Sequence, residues 1–281
     1  MKRLRIEHET GFTYQGDVSA SYNEARMLPS STDSQFVLTS ALDIEPSTSV
    51  NQYVDYFGTR VASFDVLNPH NTLTLTARSL VEVRPRPLEE PEMTWDELKR
   101  EASRLIESVE QLDQTPRTKP HPEVAEIARS IASQHERPGD AARAIAVAIG
   151  NAMKYVGGIT GVHSTAVEAW DARKGVCQDI AHITLGALRE VGIPARYVSG
   201  YLHSRPEAEI GVPVAGESHA WIEWFAGDWQ GFDPTNNLEI TDSHVLVGRG
   251  RDYGDVPPLR GVYAGPFKGT LHVKVTITRE A

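Results

Sequence analysis

Apolar and polar residues alternate through residues 72–83. Leu73, Leu75, Ala77, Val81 and Val83 share one face, and Thr72, Thr74, Thr76, Arg78 and Glu82 lie mostly on the other. A period of two is that of a half-buried β-strand. Leu4 and Ile6 open an earlier strand, and residues 53–61 read as two strands turning at Gly58. The chain up to about residue 85 is therefore expected to be β-rich. It ends in Arg84-Pro85-Arg86-Pro87-Leu88-Glu89-Glu90-Pro91, a connector whose prolines neither donate to a ladder nor continue a helix. This predicts a β-rich N-terminal domain over residues 1–88 and a second unit over 89–281. The polar run at 30–35 reads as a solvated turn.

Beyond the connector the period lengthens. Thr94 and Glu97 form a capping box, followed by Leu98, Ala102, Leu105, Val109 and Leu112 at helical spacing. A proline-rich break covers 115–122, and helical patterns follow at 124–133 and 141–153. Residues 157–161, rich in glycine, read as a loop. Thr165 and Glu168 form another capping box, opening a short helix that carries Trp170. The next helix begins at Gly175 or Val176 and stops at Gly192-Ile193-Pro194, with Cys177, Ala181, Thr184, Leu188 and Val191 on one buried stripe. Strands are expected at 195–202, 218–225, 229–233 and 272–278.

Composition narrows the function. The 281 residues can bury one large or two modest cores, and 40% hydrophobic with 23% charged content is ordinary for a globular chain. A net charge of -10 argues against a general binder of nucleic acid or anionic membrane. The first ten residues lack the apolar core of a signal peptide, and no stretch approaches a membrane span. The single cysteine cannot form an internal disulfide, so a reducing cytoplasm is expected. Cys-x-x-Cys and His-Glu-x-x-His spacings are absent, so neither a metal nor a cofactor is expected.

That lone thiol, Cys177, falls at the first turn of a predicted helix. Helix N-termini favour the thiolate. His219, in Ser-His-Ala-Trp, and Asp233, in Gly-Phe-Asp-Pro-Thr, follow in the chain order of a cysteine-nucleophile enzyme. In that role His219 takes the thiol proton and returns it to the leaving amine, while Asp233 accepts a hydrogen bond from the other ring nitrogen. Each residue also has a plainer reading. Cys177 suits a small buried hydrophobe, His219 a half-buried strand position and Asp233 an Asp-Pro turn. Gly175 is read as room for a substrate backbone and Asp179 as a residue ordering the first turn. The Cys177 N–H is one expected oxyanion donor. Trp170 and Tyr155 are candidates for the second, though either also suits a core.

The blocks Gly-Val-Cys-Gln-Asp-Ile-Ala-His (175–182), Gly-Ile-Pro-Ala-Arg-Tyr-Val-Ser-Gly-Tyr (192–201), Ser-His-Ala-Trp (218–221) and Phe-Asp-Pro-Thr-Asn (232–236) closely resemble the bacterial transglutaminase-like proteins, also described as predicted cysteine proteases. The tail from Gly250 to Gly261 resembles the same group, and Asn23-Glu24-Ala25-Arg26 with residues 53–58 resembles their N-terminal region. The resemblance implies an α+β, papain-like core. Its nucleophilic cysteine sits at a helix N-terminus packed on an antiparallel sheet that supplies histidine and aspartate. Carried over, the triad is Cys177, His219 and Asp233. Ile180 departs from the phenylalanine of many relatives. The expected reaction is attack on an amide or peptide bond through a thioester, with hydrolysis favoured over transfer to an amine. The rivals are a catalytically quiet peptide-binding or assembly module and an acyltransferase using the same triad. The expected partner is a peptide or protein amide substrate, with no nucleic acid and no membrane. Oligomeric state stays open.

Overall fold

The computed structural model describes residues 1–84, 93–104, 109–205 and 207–281. Most of the proline connector and Leu105 lie outside the described residues. The N-terminal strands are β1 (Lys2–Val18), β2 (Ala20–Ala25), β3 (Gln35–Glu45), β4 (Val50–Val54), β5 (Arg60–Val66) and β6 (His70–Val83). The β4–β5 turn falls at Gly58 as its sequence predicts, with φ of 80°, a conformation that costs glycine little. The sequence gives no sign of β3. It is an edge strand whose Phe36 stays 58% exposed, so its alternation is broken. Gln35 corrects the expected solvated turn. It is buried, donates to the carbonyls of Ser30 and Leu246 and accepts the Leu246 N–H, each at 2.8 Å.

The helices are α1 (Trp95–Ala102), α2 (Pro122–Ala132), α3 (Pro138–Ala152), α4 (Ala166–Ala172) and α5 (Cys177–Glu190). Both predicted capping boxes form, on Thr94/Glu97 and Thr165/Glu168, and such caps are worth about 1 kcal/mol each. Helix α5 is buried all round rather than along one stripe. Even Arg189 is buried, because its guanidinium donates to the carbonyls of Gln111, Asp113, Ala195 and Arg251 and to the Thr118 hydroxyl. No helix among the described residues is long and apolar enough to cross a membrane.

The remaining strands are β7 (Lys154–Tyr155), β8 (Lys174–Gly175), β9 (Ala195–Leu202), β10 (Pro213–Phe225), β11 (Trp229–Asp233), β12 (Leu238–Glu239), β13 (His244–Gly250), β14 (Leu259–Ala264) and β15 (Gly269–Arg279). The sequence places a loop just before Ser218, but β10 already begins at Pro213. Residues 213–216 pair with β15, and residues 217–224 pair with β9. This change of partner joins nine described strands into one sheet. β15 also pairs with β1 from Leu4 to Tyr14, and β14 pairs with β2. Residues 259–279 thus return to the N-terminal sheets, across the division that the connector suggests in sequence.

One face of the β9–β10 ladder is covered along its length, since an α+β fold buries the apolar face of its sheet. Ala195, Tyr197, Ala220, Ile222 and Trp224 pack with the helices. Further along the same face of the ladder, Tyr201 joins Val245 and Val247 against Leu4, Ile6, Val81, Val83, Val275 and Ile277 of the N-terminal strands.

One charge cluster is built into this sheet. Glu223 accepts from Arg196 at 2.6 Å and, in a bidentate pair, from Arg249 at 2.8 and 3.1 Å. Burial raises its pKa, but the two guanidinium groups outweigh that and pull it down to about 2. The sign follows from linkage. The stabilisation is complete above the ordinary carboxylate value of 4.5 and is lost as pH falls through about 2. Removing one partner of a buried pair costs about 3–5 kcal/mol. Glu223→Ala is therefore expected to lower stability by about that amount at pH 7 in urea denaturation, with a smaller deficit in acid.

Candidate active site

The N-terminus of α5 is shaped by Asp179. Its Oδ2 accepts the Val176 N–H at 2.8 Å and the Thr160 hydroxyl at 2.6 Å. This bears out its reading as the residue that orders the turn. Gly175 has a different reason from the expected one. A Cβ there would meet Asp179 Oδ2 at 2.7 Å, so the glycine makes room for the cap rather than for substrate. Cys177 is the first residue of the helix and is half-buried. The first backbone N–H groups of a helix have no intrahelical acceptor, so those of Cys177 and Gln178 are oriented donors.

Strands β10 and β11 position the other two residues. Ile222 faces Phe232 in the ladder, so Asp233 stands opposite Trp221 and diagonal to His219. His219 Nε2 and Asp233 Oδ2 are 2.7 Å apart. The remaining ring nitrogen is left for the Cys177 thiol, which lies close enough to raise the His219 pKa. The structure thus brings the three sequence-predicted residues together.

Asp233 is fully buried. Its Oδ1 accepts the N–H groups of Thr235 and Asn236 at 3.0 and 3.2 Å, and its Oδ2 accepts Asn236 Nδ2 at 2.7 Å. The same aspartate thus caps its turn and accepts a hydrogen bond from His219. Burial raises its pKa, but hydrogen bonds from His219, His244 and Asn236 hold it well below the usual carboxylate range. For His219, burial lowers the pKa, and the bonds to Asp233 and Cys177 overcome that and push it up to about 10.

Cys177 and His219 open into one cavity of about 290 Å³. Tyr155, Gln178, Tyr197 and Tyr253 line one part of it, and His8 and Thr10 of β1 line another. Of the two expected oxyanion aromatics, Trp170 is committed elsewhere, since its indole donates to Glu123 at 2.9 Å. Tyr155 lines the cavity but shares a hydrogen bond with Glu217. A second cavity of about 260 Å³, lined by Trp221, Glu223, His244 and Arg249 among others, does not include the thiol.

His244 was not legible in the sequence. Its Nδ1 accepts the Thr241 N–H at 3.2 Å, and its Nε2 lies 3.5 Å from Asp233 Oδ2. His219, Asp233 and His244 form the described group whose spacing would suit a metal ion. A metal there would compete for the His219 nitrogen and Asp233 oxygen that share the 2.7 Å contact.

Residues 125–234 match the model of the transglutaminase-like superfamily, and residues 4–82 match the bacterial transglutaminase-like N-terminal region. An uncharacterized protein of Mycobacterium leprae is 43% identical over 282 residues, covering 100% of both chains. The chain belongs to the transglutaminase-like superfamily. An uncharacterized Mycobacterium tuberculosis protein is 32% identical, over 98% of this superfamily member and 92% of that protein. In fold it is similar to a crystal structure of a candidate cysteine protease from Cytophaga hutchinsonii. The TM-score is 0.72 at 19% identity, over 99% of this chain and 98% of that one.

A raised histidine pKa contributes stability that is complete below 6.5 and is lost as pH rises through about 10. The ring signal of His219 in NMR is therefore expected to titrate near pH 10. In Cys177→Ala, which removes two of the raising interactions, the midpoint should fall.

Proposed function

We propose that this chain is a thiol enzyme that cleaves an amide or peptide bond through a Cys177–His219–Asp233 triad. The observation that carries this reading is the Asp233–His219 contact of 2.7 Å, with the thiol beside the same ring and facing the same cavity. The Cys177 sulfur attacks the carbonyl carbon, and the carbonyl electron pair moves to oxygen beside the helix N–H groups. His219 Nδ1 holds the proton taken from sulfur and delivers it to the amine nitrogen as the C–N bond breaks. A thioester remains. Water, losing a proton to His219, hydrolyses it and restores the thiol.

Asp233 holds the ring orientation and stabilises the imidazolium throughout. Hydrolysis is favoured over transfer to an amine because the cavity wall is open to water at Leu271 and Val273, 52% and 51% exposed. Apart from the Cys177–His219 pair, the described lining residues carry no charge near pH 7, which suits a neutral peptide or side-chain amide.

Iodoacetamide labelling tests the thiol. Cys177 is expected to alkylate rapidly at pH 6, and His219→Ala to slow this at least tenfold. Alkylation unaffected by the histidine would support the quiet binding module instead. The acceptor is tested with a peptide amide donor and a labelled primary amine. Ammonia or new termini without incorporated label are expected, and label in the product would mean transfer.

A further inference from the structure

The face of β1 that presses Leu4 and Ile6 onto the catalytic sheet continues to His8 and Thr10, which line the cavity of Cys177 and His219. His8 is 1% exposed, and its hydrogen bonds fix where its proton sits. The Tyr201 hydroxyl donates to the Met27 carbonyl at 2.8 Å. With its single proton spent, that oxygen accepts from His8 Nδ1–H at 2.9 Å. Nε2 is then a bare lone pair, and it has no hydrogen-bond partner among the described residues. Burial pushes the His8 pKa down to about 4, so the ring is neutral near pH 7. A buried acceptor left unmade is costly and calls for a ligand or water to complete it.

We propose that His8 Nε2 is a specificity-determining acceptor that binds an amide N–H of the acyl donor, so that the substrate is a peptide-like acyl group rather than a simple ester or aliphatic acyl chain. The inference rests on the thiol chemistry proposed for Cys177. An amide suits this position better than an ammonium group. His8 offers one neutral lone pair, no carboxylate is among the described lining residues, and Pro258, Leu259, Leu271 and Val273 add apolar wall. It also gives the N-terminal region a task at the site, since β1 supplies both His8 and Thr10.

The test uses the full chain and two small acyl probes. N-acetylglycine p-nitrophenyl ester carries the amide N–H, and acetoxyacetic acid p-nitrophenyl ester has oxygen in its place. Each acylates Cys177 by forming a C–S bond and breaking the C–O bond to p-nitrophenolate, whose release is followed. Rates are normalised to those with N-acetylcysteine. The wild-type chain is expected to prefer the N–H ester by about tenfold or more. In His8→Leu that ratio should collapse to about one. Tyr201→Phe provides a second route that keeps His8. Without the hydroxyl, Nδ1 loses its acceptor, the proton is free to move to Nε2, and the ratio should fall as well.

Equal normalised rates in the wild-type chain, or a ratio unchanged in both variants, would overturn the inference while leaving the thiol reading intact. If neither ester acylates Cys177, both readings fail.

Discussion

The hydrogen bond from His219 to Asp233 is the contact on which the site depends, and its length is set by sheet register rather than by either side chain. Ile222 and Phe232 are a directly opposed pair in the β10–β11 ladder. That pairing makes Asp233 and His219 diagonal neighbours on one face, within reach of an imidazole and a short carboxylate. A slip of one residue would turn one side chain to the other face. Such a slip would also misplace Trp224 and Phe232, buried neighbours with ring centroids 6.1 Å apart. The energy that holds the register is thus mostly hydrophobic, while its consequence is polar.

The cavity arises from a second feature of the same strand. β10 pairs with β15 up to Gly216 and with β9 from Glu217 onward. Both neighbours line the cavity, β9 with Tyr197 and Ser199 and β15 with Leu271 and Val273, and the exchange lies two residues from His219. A Cβ at Gly216 would meet the Ile277 side chain at 2.6 Å, so a glycine lets β10 pack against β15 here without displacing Ile277. The apolar seam of Leu4, Ile6, Val275 and Ile277 with Tyr201 and Val245 then fixes the N-terminal sheet against the catalytic one. The cavity wall that contains His8 is continuous with this seam.

Much of this was legible because local patterns and final contacts agree. The caps at Thr94 and Thr165, the turn at Gly58, and strands β9 and β11 follow from residue spacing. So does the helix that begins with the lone thiol. What the spacing missed depends on partners far away in sequence. Gln35 is buried because it bonds Leu246, 211 residues later. His8 matters because Tyr201, 193 residues away, uses its own proton on Met27. Helix α5 shows no one-sided stripe because other elements wrap it, and Arg189 is tolerated inside only because four carbonyls and a hydroxyl converge on it. Gly175 was assigned to the right neighbourhood for the wrong reason, since its close contact is the capping carboxylate three residues after Val176.

Asp233 shows how the fold prepares the charge before any substrate arrives. A fully buried carboxylate is costly unless its oxygens are satisfied. Here two backbone N–H groups, an asparagine amide and His219 all lie at 3.2 Å or less. His244 stands further off at 3.5 Å, held through its other nitrogen by the Thr241 N–H. The two imidazoles are therefore not equivalent. The short contact belongs to the ring that shares a cavity with the thiol, and the long one to a ring anchored to backbone. With its lone pairs already engaged, the carboxylate has little freedom to turn during the proton transfer from Cys177 to His219 that the proposed reaction requires. Stabilisation of the imidazolium then needs little movement of the surrounding dipoles, which is the condition under which a buried charge assists a reaction most.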